Sequence, residues 1–484
     1  MVTGKNKPPR YPNYNELGKT KMSTVSSSSN AIRKPFRPVV WVMRAFFAVC
    51  LLATIGIGWF GLTQLFASRE LAKFTRDLES RGIPYDNATM QKAFRDKTHA
   101  EGSETLKSII RLSKWGSSLA SVQAIPFVGA MYENSSPWMS LIGLKEWPTD
   151  ALPEQIVSDY LAEMEPMFSL LDQMEKMPKP VRIELEMNGY WTSLSDLNDA
   201  RLTMQVLSLE ARYAIFKKDK PRTMRAIESM VTLAQALDSQ SFLMVDYMVE
   251  SYRAITRAVI QDSMTVEFWD LAETRALKDI IESGRLNHFD KTRAWEWERA
   301  MAMSSIESSS GFWNSGDEMI YMIPKFPSAK LKIMKHYEEH IKINGLPLEQ
   351  RNYHAARMRQ ELTSFSNLID GTSMILGVLL PSSNWMVDID ERSKDSAKFA
   401  LIACGIRQFK LENNRLPTNL DELISVGVPR ELFSTTNRGR FGFVVEDGKA
   451  WLWSYDFRNP RNKVSEEPST DPNQYQYQPT LVFE

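Results

Sequence analysis

One uncharged apolar run near the start of the chain constrains its fold more than any other feature. The run begins at Ala45 and ends at Phe66, and its 22 residues include no Asp, Glu, Lys or Arg. At about 1.5 Å per residue, a helix of this length spans the roughly 30 Å hydrocarbon core of a bilayer. The sequence therefore predicts one transmembrane anchor, placed within 39–68, with the lipid bilayer as its partner.

Charged residues on the two sides of this run predict its orientation. Arg33, Lys34, Arg37 and Arg44 precede the run, whereas mixed charges follow it. Basic flanks stay in the cytoplasm, so we expect a cytoplasmic N-terminus and an extracytoplasmic, periplasmic bulk on a bacterial inner membrane. A cleaved signal peptide fits less well, because its basic n-region would have 44 residues and no small-x-small site lies between Phe66 and Arg69.

The formal net charge is zero, but the charge is unevenly distributed. The first 44 residues hold nine Lys and Arg against Glu16 alone, so the remainder is acidic. An acidic bulk repels phosphates and argues against nucleic acid as a partner. The two cysteines, Cys50 and Cys404, exclude a disulfide framework. Residues 1–38, rich in Ser, Pro, Asn and Lys, are expected to form a disordered basic cytoplasmic tail.

The middle of the chain has helical periodicity. After a mixed membrane-proximal segment at 69–150, residues 151–392 are predicted to form an irregular array of α-helical hairpins, since no fixed repeat appears. Two apolar stripes flank a polar turn at 217–221 and predict an antiparallel pair of helices. The first stripe consists of Leu202, Val206, Leu209 and Tyr213, and the second of Ile227, Met230, Ala234 and Leu237. Further helices are expected at 243–262, 266–283, 288–305, 328–343 and 347–366, with a long loop at 306–326.

The C-terminal part changes character, and 393–458 is predicted to be a small α+β module. An amphipathic helix at 395–413 is followed by a short helix that Thr418 is expected to cap. Alternating apolar residues at 440–446 and 450–455 surround Asp447-Gly448 and predict a β-hairpin. Residues 459–484 are expected to be a flexible tail. The predicted fold class is mainly α, with one transmembrane helix, a hairpin array and this module.

This C-terminal sequence resembles a known pattern. The string AKFALIACGIRQFKLENNRLPTNLDEL, with the hairpin after it, resembles the end of uncharacterised membrane-anchored proteins common in planctomycetes and related bacteria. It is also similar to the globular end of type II secretion pseudopilins. The shared turn positions are Arg415, Pro417, Leu420, Glu422 and Leu423. The resemblance implies a helix-plus-hairpin docking end and allows an accessory role in a secretion-like assembly. The Asp- and Gly-rich calcium loop of pseudopilins is replaced here by Asp-Phe-Arg-Asn at 456–459.

One motif could bind zinc. His336, Glu339 and His340 match the H-x-x-E-H pattern of inverted zinc peptidases on a predicted helix. We favour a structural interpretation, because the histidines border the buried face, lysines surround them and no third ligand is evident. A zinc-dependent hydrolase is kept as the alternative, and no cofactor, catalytic residue or metal ligand is assigned.

The other candidates also have structural interpretations. Asp388, Asp390 and Glu391 could suggest a cation site, but the basic residues after them favour a solvated loop. Cys404 is expected to be a small buried residue rather than a nucleophile. The hairpin aromatics Trp451, Trp453 and Tyr455 are expected in the core rather than as a ligand platform.

Within the anchor, Cys50, Thr54 and Gly58 form a small-residue stripe that could seat a second copy of the helix. The sequence thus predicts a single-pass extracytoplasmic protein with protein partners in the envelope, more consistent with an interaction or structural role than with catalysis.

Overall fold

The computed structural model describes most of the chain between residues 38 and 483. The described ranges are 38–95, 100–117, 154–190, 192–240, 242–283, 286, 291–307, 326–346, 348–362, 383–436, 439–453 and 480–483. The predicted cytoplasmic tail, most of the loop at 306–326 and Tyr455 lie outside these ranges. The chain divides into two compact units, Met1–Leu62 and Thr63–Glu484.

The described residues are mainly α-helical, as the sequence predicts. Helix α1 covers Pro38–Ser80 and includes the whole uncharged run. The helices after it are α2 (Asn87–Arg95), α3 (Ala100–Ser117), α4 (Glu154–Glu163), α5 (Glu165–Lys176), α6 (Ser195–Phe216), α7 (Lys220–Asp238), α8 (Leu243–Met264), α9 (Leu271–Glu282), α10 (Thr292–Glu307), α11 (Pro327–Asn344), α12 (Leu348–Leu362) and α13 (Ser383–Asn413).

The two helices predicted on either side of the polar turn are α6 and α7, and they contact each other. Asp219 caps α7, because its carboxylate accepts a hydrogen bond from the Arg222 backbone N–H at 3.1 Å. Lys218 has a φ of 57°, which lets the chain reverse within a few residues. An ion pair between Glu210 and Arg222 joins the facing helices. Local turn chemistry therefore fixes this pair.

Helix α9 begins later than the predicted residue 266. Asp270 is its N-cap and accepts a hydrogen bond from the Glu273 backbone, while the Glu273 carboxylate accepts one from the Asp270 backbone. This reciprocal capping box satisfies two backbone donors and defines the first turn of the helix. The start of α9 is therefore set by the cap and not by the apolar residues before it.

Helix α13 continues without a break through the predicted domain boundary at 392 and 393. The helix packs against α8 and α9, and its residues from Phe399 to Phe409 join a core that also contains Met90 of α2 and Leu106 of α3. The segments predicted as membrane-proximal, array and module thus contribute to one core. A second apolar cluster lies around Tyr337 and Trp295.

After α13 come two short 3-10 helices, Leu420–Val426 and Arg430–Phe433. The cap of the first is Asn419, not Thr418 as predicted, because the Asn419 side chain accepts from the Glu422 backbone. Glu422 in turn accepts from the Thr418 N–H and hydroxyl, each at 3.0 Å. The capping pair therefore lies one residue later than expected.

A small sheet ends the described chain. Strands β1 (Ser434–Thr435) and β2 (Gly439–Arg440) pair, and β3 (Gly442–Glu446), β4 (Lys449–Trp453) and β5 (Thr480–Phe483) form an antiparallel sheet in that order. The turn between β3 and β4 is at Asp447-Gly448, as predicted, and both residues have positive φ. Strand β5 corrects the prediction of one flexible tail at 459–484, because Leu481 and Phe483 are buried in the core.

Candidate functional sites

Helix α1 presents an apolar surface in its first half. It is long and apolar enough to cross a membrane, and its most apolar stretch has no buried residue. Large exposed side chains surround the helix, among them Phe47, Leu52, Ile57 and Trp59. Residues of the predicted dimer stripe lie on this surface, where the Thr54 hydroxyl donates to the Cys50 carbonyl at 2.8 Å. This hydrogen bond satisfies the one polar side chain of the stripe within the helix.

The H-x-x-E-H residues lie on α11 and do not converge. His336 and His340 approach each other, with ring centroids 5.1 Å apart, but Glu339 is exposed. His340 is buried and stacks flat on Trp295, at 4.6 Å and an interplanar angle of 8°. Burial, and then the charge of His336, lowers the pKa of His340 to about 3, so His340 is neutral at pH 7. In the described ranges, no three His, Cys, Asp or Glu side chains form a metal site.

A buried polar centre, formed by Glu298, Tyr190 and Tyr337, lies between α10 and α11. The two tyrosine hydroxyls are 2.9 Å apart, and Tyr190 also hydrogen-bonds to Glu298. Burial raises the pKa of Glu298 to about 7, against the lowering effects of Tyr190 and of the Leu243 backbone. Sequence reasoning missed this centre, because Glu298 lies within a helical pattern that gives no sign of its burial.

Glu298 also caps a neighbouring helix. Helix α8 begins at Leu243 after Phe242, whose side chain cannot accept a hydrogen bond from the first turn. The Glu298 carboxylate of α10 accepts from the Leu243 backbone instead. The carboxyl group therefore serves as a tertiary substitute for the missing local cap.

A second polar cluster joins α8 to α13. Glu250 of α8 contacts Arg253 and Arg257 of the same helix and accepts a hydrogen bond from Ser393 of α13. Arg257 is fully buried, and its Nη1 donates to the Leu286 carbonyl at 2.6 Å. Burial lowers the pKa of Arg257 to about 10. These charges lie inside the protein, where each must find an opposite charge or a hydrogen bond.

The predicted solvated loop at Asp388, Asp390 and Glu391 is wrong. All three residues belong to α13, and Asp390 and Glu391 are buried. Asp390 pairs with Lys291, and it pairs with Arg351 at 3.2 Å. Lys291 lies 4.8 Å above the Tyr247 ring. The acidic run was interpreted from its charge alone, whereas burial follows from partners that are distant in the sequence.

The remaining candidates are Cys404 and the hairpin tryptophans, which differ in how deeply they are buried. Cys404 is fully buried in the core, as predicted, and burial raises the pKa of its thiol to about 12.

In the hairpin, Leu452 and Ala450 face the main core, and the tryptophans lie on the opposite face. Trp453 is buried, however, because it covers Gly442 of the paired strand. Trp451 is partly exposed, so the prediction of a shared aromatic core face is corrected.

Comparisons with known proteins add no family. The chain matches no protein-family model, and it has no significant similarity to a curated protein or to a solved structure.

Proposed function

We propose that this chain is a single-pass membrane protein whose folded body lies on the extracytoplasmic side of a bacterial inner membrane. The exposed apolar surface of α1 carries the proposal, because a continuous helix satisfies its own backbone groups in lipid. Soluble proteins rarely expose so large an apolar area, whereas a bilayer removes it from water. The basic residues before the helix orient the N-terminus toward the cytoplasm.

Membrane anchoring is tested by fractionation and by a substitution within α1. The double variant Leu52→Arg/Ile55→Arg introduces two charges on the exposed apolar surface, each costing about 3 kcal/mol near the bilayer centre. We expect the native chain to stay with membranes after alkaline extraction and the Arg variant to be extracted. Leu52→Val/Ile55→Val is the matched control and should behave as the native chain. A native chain in the soluble fraction would overturn the proposal.

Orientation is tested with reporters fused after residue 484. Alkaline phosphatase, which is active only outside the cytoplasm, should be active in this fusion, and a cytoplasmic reporter should not. Replacing Arg33, Lys34, Arg37 and Arg44 by Gln removes the basic flank and should reduce the correctly oriented fraction. A C-terminal reporter with cytoplasmic behaviour in the native chain would contradict the proposed orientation.

We further propose that the body binds protein partners and is not itself an enzyme. The docking end implied by the resemblance to pseudopilins is the module at 393–458, which includes the turn at 415–423, and Ile424 is exposed directly beside that turn. A photo-crosslinking residue at Ile424 in intact cells should capture a specific envelope protein, and capture of a pseudopilin would favour the accessory role in secretion. The exposed Glu339 position on α11 serves as the control. Failure of Ile424 to give any adduct beyond this control would refute the docking end.

The zinc hydrolase stays a separate prediction, favoured only by the proximity of His336 and His340 on α11. Metal analysis of the purified full-length chain distinguishes it from the interaction role. Stoichiometric zinc that is lost on His336→Ala would support the hydrolase and overturn the non-catalytic proposal.

A further inference from the structure

An irregular segment at 177–187 crosses the protein between α5 and α6. It is held by side-chain hydrogen bonds: the Ser239 hydroxyl donates to the Val181 carbonyl at 2.6 Å, and the Ser103 hydroxyl accepts from the Glu184 N–H at 2.9 Å. The chain therefore has buried residues here without the continuous backbone hydrogen bonds of a helix or sheet. Such a segment opens locally at lower cost than a packed helix.

Arg182 of this segment is buried in an unusual way. Only 1% of the residue is exposed, and its Nε and Nη1 atoms have no hydrogen-bond partner among the described residues. Its guanidinium lies 5.4 Å from the centre of the Phe94 ring, which is itself packed against Phe242 and Trp297. A cation–π contact supplies about 2 kcal/mol when desolvated, less than the several kcal/mol that burial of an unpaired charge costs.

Three other buried arginines have an acidic partner of the kind that Arg182 lacks among the described residues. Arg212 pairs with Asp262, Arg257 contacts Glu250, and Arg299 pairs with Glu338. The charge that acts on Arg182 is instead another cation, Arg293 of the first turn of α10. Burial, and then Arg293, lowers the pKa of Arg182 to about 10, and the group remains positively charged at pH 7.

We propose that Arg182, assisted by Arg293, binds the carboxylate of a small monocarboxylic acid. A carboxylate matches the planar donors of a guanidinium, and it supplies the opposite charge that no described residue provides to this buried cation. The charge of the ligand is limited to about −1, because Glu296, Asp238 and Asp246 already act on Arg293 as opposite charges. A phosphate dianion would be repelled by these acids. The aromatic surroundings at Phe94 also favour an acid with an apolar substituent.

Calorimetric titration of the full-length chain in detergent tests the site. Benzoate, acetate and inorganic phosphate are titrated separately at pH 7 and constant ionic strength. We expect saturable binding of benzoate, weaker binding of acetate and none of phosphate. Arg182→Met should weaken benzoate binding by at least about tenfold, since a charge-assisted hydrogen bond contributes about 1.5–3 kcal/mol. Arg430→Met, at an exposed arginine, is the matched control and should leave the affinity unchanged.

A spectroscopic measurement keeps the test valid where Arg182→Met does not fold. The native protein is labelled with 15N at arginine Nε, and the Arg182 resonance is assigned by its loss from the NMR spectrum of Arg182→Lys. Benzoate should shift this resonance and leave the Arg430 resonance unchanged. Absence of saturable benzoate binding by the native chain would overturn the proposal. Equal benzoate affinity of the native chain and Arg182→Met would also overturn it, and a preference for phosphate would refute the monocarboxylate assignment.

Discussion

Replacing Glu298 by Gln should change how the stability of the protein depends on pH. The carboxyl group is buried, and its pKa is raised from 4.5 to about 7. The folded state therefore binds this proton more tightly than the unfolded state, and ionisation of Glu298 opposes folding. The destabilisation is absent below about pH 4.5, grows between pH 4.5 and 7, and is complete above pH 7.

The shift from 4.5 to about 7 corresponds to about 3 kcal/mol at pH 8. Gln is nearly isosteric and can still accept a hydrogen bond from the Leu243 N–H, but it cannot ionise. We therefore expect Glu298→Gln to increase the free energy of unfolding relative to the native chain by up to about 3 kcal/mol at pH 8, with a smaller difference at pH 5.

Urea unfolding of both chains in mild detergent, followed by circular dichroism from pH 5 to 8, measures this effect. Burial also raises the pKa of Asp262 and of Glu210, and these groups contribute the same pH dependence to both chains. The difference between the chains isolates Glu298. Glu339→Gln, at an exposed position of α11, is the control. Parallel stability curves for the native chain and Glu298→Gln would refute the proposed burial of an ionisable carboxyl.

Two further substitutions test the packing. Gly442→Ala would place a Cβ 1.8 Å from Trp453 Cε2, so we expect loss of the β3–β4 pairing. The thermal midpoint should be lower than for Gly448→Ala, whose Cβ meets nothing within 4 Å and which bears only the backbone strain of its positive φ. Arg257→Met removes one of the buried positive charges that face the Glu250 carboxylate. We expect the free energy of unfolding, measured with urea, to fall by about 3–5 kcal/mol. Native-like midpoints for either variant would contradict the corresponding contact.

Features set by neighbouring residues were predictable from the sequence. The turn between α6 and α7 depends on Asp219 and Pro221, and the β3–β4 turn depends on Asp447-Gly448. The apolar part of α1 follows from its uncharged run. In each case the determining residues lie within a few positions, so periodicity and turn chemistry are sufficient.

Features set by distant partners were not predictable. Strand β5 pairs with β4 from a position near the end of the chain, and its four residues are too few for a periodic signal. Asp390 is buried because Lys291 and Arg351 neutralise it, and neither partner is adjacent in the sequence. Its charge indicated solvent, and only the tertiary contacts reverse that expectation.

In the candidate sites, too, features set by neighbouring residues were predictable and features set by distant residues were not. The spacing of His336 and His340 correctly predicted that they share one side of α11, but the flat stacking of His340 on Trp295 depends on α10. The burial of Arg182 without an acidic partner among the described residues has no sequence signature, because arginine is ordinarily exposed.

The capping of α8 by Glu298 has a consequence for the order of folding. Because the Phe242 side chain offers no acceptor, the Leu243 N–H of α8 is satisfied only after α10, some fifty residues further along the chain, has docked. A synthetic peptide covering Leu243–Met264 would fray at its amino end, and during synthesis the beginning of this helix would consolidate only once α10 had emerged from the ribosome.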